Sequence, residues 1–137
     1  MTDEALLLKR LAFLETCVHE LTQTARIELI RVDIREERFV EHTLQLAIQA
    51  VLDVAAHVVA EQRLGEPATN RELFDKLAAA GWIAPPLAAT LRRMAGFRNV
   101  LVHGYTAVDL AIVEDVVHNH LVDLTAFAAS IRRVLGA

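Results

Sequence analysis

Residues that break helices are scarce in this chain, and that scarcity is the strongest constraint on its fold. Five glycines and three prolines are spread over 137 residues, and no segment alternates apolar and polar side chains as a half-buried strand does. Apolar residues recur instead at spacings of three and four, which is the period of one helical face. The sequence therefore predicts an all-α protein.

The apolar stripes and the turn residues between them delimit five helices. The first spans about residues 3–26, and a long second helix spans about 34–64 after a less regular stretch. A short helix over 70–80 follows, Pro85 begins the fourth helix, and Asp109 is a suitable N-cap for the last. Short connections favour an up-down bundle of four main helices plus a short one.

Turn residues support these boundaries. Thr69 and Glu72 have the spacing of a capping box at the start of the short helix, and Gly81 suits the C′ position after it. Gly104 is expected to end the fourth helix. No linker or repeat interrupts the pattern, so residues 1–137 are expected to form a single domain.

Composition narrows the class of protein. Apolar residues make up 54% of the chain, a surplus that suggests a subunit interface. No stretch approaches 18 consecutive apolar residues, and the acidic N-terminus lacks the basic region of a signal peptide, so no membrane association is expected. The single cysteine, Cys17, is expected in the core and fits a cytoplasmic protein.

Charge is distributed unevenly along the chain. Between residues 76 and 108 there is no Asp or Glu, although the net charge is −4. The same stretch contains Lys76, Arg92, Arg93, Arg98 and His103. A local positive field in an acidic protein suggests a site for an anion such as phosphate. An ordinary solvated helix face is the alternative interpretation.

A narrow polar stripe follows the long second helix between apolar residues on both sides. Its members are His42, Gln45, Gln49, Asp53, His57 and Glu61. The stripe can line a cleft, and Asp53 and His57 are four residues apart, so their side chains can touch. A plain i,i+4 pair is the simpler interpretation than a metal site, and no metal is predicted. His118 and His120, two apart on the last helix, are expected on opposite sides of it.

Residues 97–105 contain the side chains best suited to chemistry on an anion. Arg98 offers a planar fork of donors for a phosphate, and His103 is of the residue type that serves as a general acid or base near neutrality. Asn99 shares a helix face with His103 and can hydrogen-bond to it. Arg98 and His103 are about 140° apart around a helix, so a site that uses both needs a cleft or a second copy of the helix. A histidine at a helix C-terminus beside an Arg98 surface ion pair is the alternative.

The motif Arg-Asn-x3-His-Gly-Tyr over residues 98–105 resembles the Arg-x4-His-x-Tyr signature of the HepT-type toxins, part of the HEPN superfamily. Segments over 41–53, 64–67 and 92–99 are similar to that family in order and spacing. The likeness covers roughly residues 6–130. It implies an all-α HEPN bundle that forms a homodimer, with the two motifs facing a shared cleft.

The resemblance also implies an activity. It implies a metal-independent endoribonuclease that needs no cofactor and cleaves only RNA, because the 2′-OH takes part. His103 would move protons between the 2′-OH, the scissile phosphate and the leaving oxygen. Arg98 would hold the phosphate and stabilise its developing charge, and Asn99 would orient His103 or contact the phosphate.

A partner follows from the same resemblance. HepT-type toxins pair with a nucleotidyltransferase antitoxin, which would transfer AMP to Tyr105, the only tyrosine in the chain. A bulky anion there would block the cleft and repel RNA; a phenol packed on the bundle is the alternative. The implied function is the ribonuclease toxin of a type II or type VII-like toxin–antitoxin system. A non-catalytic helical subunit that binds a nucleotide or a nucleotidyltransferase stays open, as does a purely structural dimer.

Overall fold

The computed structural model describes residues 3–103 and 108–136, apart from the side chain of His103. Six α-helices and no strand lie within that part of the chain. The helices are α1 (Glu4–His19), α2 (Ile34–Glu61), α3 (Glu72–Ala79), α4 (Pro85–His103), α5 (Leu110–Asn119) and α6 (Leu121–Leu135). The predicted all-α bundle is confirmed.

Side-chain caps and a glycine mark several of the helix ends. The Asp109 carboxylate accepts a hydrogen bond from the Ala111 amide at 2.9 Å, which confirms the predicted cap before α5. Glu72 accepts one from the Thr69 amide at 2.9 Å, which is the glutamate half of the predicted capping box. Gly81 has a φ of 82° after α3, the left-handed conformation expected at C′.

The first predicted helix was too long. The α-helix ends at His19, and the chain continues through a π-helical turn over Glu20–Thr24 and a short 3₁₀ turn over Ile27–Leu29 before α2. Apolar spacing does not distinguish a π turn from an α turn over so few residues. The predicted end of α4 at Gly104 lies outside the described residues.

The predicted last helix is two helices, α5 and α6, because the helical conformation is interrupted at His120. His120 has a φ of −124°, outside the helical range, and its ring nitrogens lie 2.9 Å from an Asp123 carboxylate oxygen and 3.4 Å from an Asp115 one. The prediction that His118 and His120 lie on opposite sides of one helix was therefore wrong. His120 instead joins the end of α5 to the first turn of α6.

The core is built around α2, which packs against α1, α3, α4 and α6. Cys17 is buried on α1, as predicted, and Phe74 of α3 meets Phe127 of α6 edge to face, with ring centroids 6.5 Å apart. By length and composition, α2 could cross a membrane, but most of its apolar stretch is buried inside the bundle. That burial is what the central helix of a packed bundle requires.

Candidate active site

Arg98 lies in the last turns of α4, and its guanidinium has no counter-charge in the described part of the chain. The side chain is partly buried, and its Nε atom is buried without a hydrogen-bond partner among the described residues. No carboxylate of those residues forms an ion pair with it. The surface ion pair considered from the sequence is therefore not formed there.

Asn99, the next residue, is exposed and faces a groove between α4 and the segment that begins α3. Position 103 is the last residue of α4 and shares the helical face of Asn99 by register. The His103 side chain and Tyr105 lie outside the described residues. The predicted Asn99–His103 contact and the modification of Tyr105 therefore stay predictions.

Asp53 and His57, the weaker cleft candidates on α2, have separate partners. Asp53 accepts a hydrogen bond from Gln49 at 2.9 Å and forms a 3.5 Å ion pair with Arg10 of α1. It does line a groove, of about 370 Å³, but this groove lies between α1 and α2. His57 Nε2 is instead 4.0 Å from a Glu61 carboxylate oxygen. The structure does not pair Asp53 with His57.

The basic side chains of the positive region predicted over residues 76–108 are only partly available to an anion, because some of them have partners within the protein. Arg92 forms a 3.4 Å ion pair with Asp75, in which both side chains are about half exposed. Arg93 contacts the Thr90 hydroxyl at 3.4 Å. Arg71, which precedes α3 and lines the Asn99 groove, is a site residue that the sequence did not predict. No pattern in the sequence links Arg71 to α4.

The fold and the motif at the end of α4 define the class as a HEPN-type helical domain. The model of a family described as "Ribonuclease HepT-like" matches residues 8–131. The chain belongs to that family. The resemblance inferred from the motif and the predicted enzyme class, a ribonuclease, are confirmed.

Individual relatives agree with the family. The mRNA nuclease HepT of Shewanella oneidensis is 32% identical over 123 residues, which are 89% of this chain and 92% of that protein. The tRNA nuclease HepT of Aphanizomenon flos-aquae is 34% identical over 74 residues, covering 54% of this chain and half of the relative. The solved structure of a tri-AMPylated Shewanella oneidensis HEPN toxin in complex with its MNT antitoxin matches 97% of this chain and 99% of its own, with a TM-score of 0.87 and 31% identity.

Proposed function

We propose that this chain, as a single domain over residues 1–137, is the endoribonuclease toxin of a toxin–antitoxin pair. It cleaves RNA in the cytoplasm as a homodimer, without metal or cofactor, through Arg98 and His103. The observation that carries the proposal is the Arg98 guanidinium, partly buried and without a counter-charge among the described residues. A partly buried charge raises the free energy of the folded protein unless an anion pairs with it. A phosphate matches the planar fork of N–H donors on the guanidinium.

The chemistry follows from the properties of these side chains. His103 takes the proton of the RNA 2′-OH, and the 2′ oxygen forms a bond to phosphorus while the bond to the 5′ oxygen breaks. A proton returns to the leaving 5′ oxygen. Arg98 holds the phosphate and stabilises the charge that builds on its oxygens. Asn99, exposed on the face of position 103, orients the imidazole or contacts the phosphate.

Two features of α4 and α5 support a homodimer. Val100 on α4 and Ile112 on α5 are 41% and 46% exposed, although both are apolar. Ile112 also borders a groove whose lining includes Met94 and Phe97 of α4, together with polar residues of both helices. Pairing two copies through this face covers it and brings two α4 ends together. A shared cleft then accommodates residues that a single helix holds about 140° apart.

The partner in this proposal is a nucleotidyltransferase antitoxin that transfers AMP to Tyr105. Support comes from the Shewanella toxin, which is AMPylated in the complex with its antitoxin. Tyr105 is two residues from His103, so an attached phosphate places negative charge beside the site. That charge would compete with the RNA phosphate for Arg98.

Growth and RNA cleavage test the catalytic proposal. The native chain is expressed alone beside Arg98→Ala and His103→Ala, with Arg133→Ala and His118→Ala as matched controls at exposed positions. We expect growth arrest and RNA cleavage from the native chain and the controls, and at least a hundredfold slower cleavage from the site variants. A native chain that is harmless and leaves RNA intact would contradict the proposal. Its capture of a nucleotidyltransferase would then favour the non-catalytic subunit.

The modification is tested by mass spectrometry. The chain is incubated with ATP and a nucleotidyltransferase antitoxin, such as the one bound to the Shewanella toxin. The native chain should gain the mass of AMP and lose RNA cleavage, whereas Tyr105→Phe should do neither. Because Tyr105 is the only tyrosine, the Phe variant removes every tyrosine acceptor at once. An equal mass gain in both proteins would place the modification elsewhere.

A further inference from the structure

A basic groove extends from Asn99 along α4, away from the end of the motif. The Asn99 groove, about 370 Å³ in volume, is lined by residues 69–72 and by Arg92, Ala95 and Asn99 of α4. A neighbouring depression of about 270 Å³ is bordered by Arg71, Ala89, Arg92 and Arg93. Arg71 and Arg92 border both, so the two form one continuous surface with three arginines around it.

The guanidinium of Arg71 lies beside Gly96 of α4. A Cβ atom placed on Gly96 would be 3.6 Å from both Cζ and Nη2 of Arg71, which is van der Waals distance. Arg92, Gly96, Asn99 and position 103 are spaced by four, three and four residues, so they follow one face of α4. The guanidinium of Arg71 is therefore seated on the same face as Asn99 and the end of the motif.

Charge in the groove is unbalanced around Arg71. Among the described residues, Glu72 is the only acid lining the Asn99 groove, and its carboxylate accepts hydrogen bonds from the Ala68 and Thr69 amides at 2.7 and 2.9 Å. Arg92 shares its charge with Asp75. The Arg71 side chain forms no hydrogen bond or ion pair with any described residue. Two arginines from different elements that border one groove repel each other unless an anion lies between them.

We propose that Arg71, with Arg92 beside it, binds a backbone phosphate of the RNA strand that flanks the scissile phosphate. The inference rests on the proposed function. From Arg92 to position 103 the face runs eleven residues, or about 16 Å, which suits an extended strand rather than a single small anion. Contacts to flanking phosphates place a strand in register without reading its sequence. Arg71 is thus a positioning residue for the substrate.

Binding tests this role separately from cleavage. A fluorescent oligoribonucleotide with 2′-O-methyl groups, which cannot be cut, is titrated against the native chain, Arg71→Ala, Arg71→Gln and the control Arg133→Ala. We expect Kd to rise about tenfold in both Arg71 variants, for two unrelated oligonucleotide sequences alike, as the loss of one charge-assisted contact implies. The slope of log Kd against log salt should fall by about 0.7. Matching melting temperatures would verify folding.

Cleavage kinetics supply the second readout. With a long RNA, Arg71→Ala should raise KM and leave kcat near the native value. With a dinucleotide, which has only the scissile phosphate, it should cleave as the native chain does. Equal losses on both substrates, or binding like that of Arg133→Ala, would overturn the inference. So would a native chain that binds no oligonucleotide, or an Arg71 effect seen only on antitoxin capture.

The outcomes separate the two proposals. If the native chain cuts RNA and Arg71 has no effect, only the flanking-phosphate role fails. If the native chain binds the uncut oligonucleotide through Arg71 but cuts no RNA, the catalytic proposal fails and the groove stands as an RNA-binding site.

Discussion

Arg31 and Glu114 form a two-point ion pair across 83 positions of sequence. Arg31 donates from Nη2 to one carboxylate oxygen of Glu114 at 2.6 Å and from Nε to the other at 3.1 Å. The pair attaches α5, the first helix after the motif, to the segment before α2. Two parallel bonds of this kind fix orientation as well as distance.

This pair predicts a pH dependence. The Arg31 hydrogen bond lowers the pKa of the Glu114 carboxyl below its ordinary value, so the pair stabilises the fold above the unfolded-state pKa and ceases to as pH falls through the folded-state pKa. Glu114→Gln should therefore unfold at lower denaturant concentration than native protein at pH 7. The difference should vanish at strongly acidic pH. Glu66→Gln, at an exposed position, is the control and should leave the denaturant unfolding curve unchanged both at pH 7 and at acidic pH.

The thiol of Cys17 should be unreactive in the folded protein. Burial, with a smaller contribution from the charge of Glu20, raises its pKa to about 11, so little thiolate exists at neutral pH. A thiol reagent at pH 8 should label the folded chain far more slowly than the chain in denaturant. Rapid labelling without unfolding would contradict the buried position on α1.

A charge in the exposed apolar face of α4 and α5 should separate the dimer. Val100→Asp is expected to convert the protein to a monomer in analytical ultracentrifugation and to abolish RNA cleavage, because an unpaired charge is costly in an interface. Val134→Asp, on α6 with a similar 43% exposure, is the matched control and should remain dimeric. A dimeric Val100→Asp protein would place the interface elsewhere.

Mixed dimers test whether the site is shared between copies. Arg98→Ala and His103→Ala chains are co-expressed with different tags, and the mixed dimer is isolated through both. If each site combines Arg98 of one copy with His103 of the other, this dimer has one intact site and should regain up to half of native cleavage. Sites complete within one copy would leave the mixed dimer inactive.

Local patterns predicted much of the fold. The caps at Glu72 and Asp109 and the left-handed Gly81 depend on neighbours within a few residues, which the sequence displays directly. The helix interruption at His120 was not predicted, because the apolar spacing continues through it. The histidine ring contacts carboxylates on both sides of the interruption. The π turn after α1 was not predicted either, because the apolar spacing continues through it as well.

The site was predictable in part. The residue types and spacing of Arg98 and Asn99 are visible in the sequence. The absence of a counter-charge for Arg98 among the described residues depends instead on what packs around α4. Arg71 is distant in sequence from the motif and lies beside Gly96 because α3 packs against α4. A contact that depends on packing between distant segments leaves no charge or apolar pattern to recognise.

The Arg98 guanidinium, which has no counter-charge among the described residues, is expected to support RNA cleavage and at the same time to lower the melting temperature of the protein. Replacing a partly buried cation that has no counter-charge among the described residues by an apolar side chain of similar length removes a desolvation penalty, so Arg98→Met should melt at a higher temperature than the native chain while cutting no RNA. Selection for stability alone would discard the arginine. Retention of the arginine would then indicate that the reaction is still required. A relative with an apolar residue at this position is expected to have a higher melting temperature but to cleave no RNA.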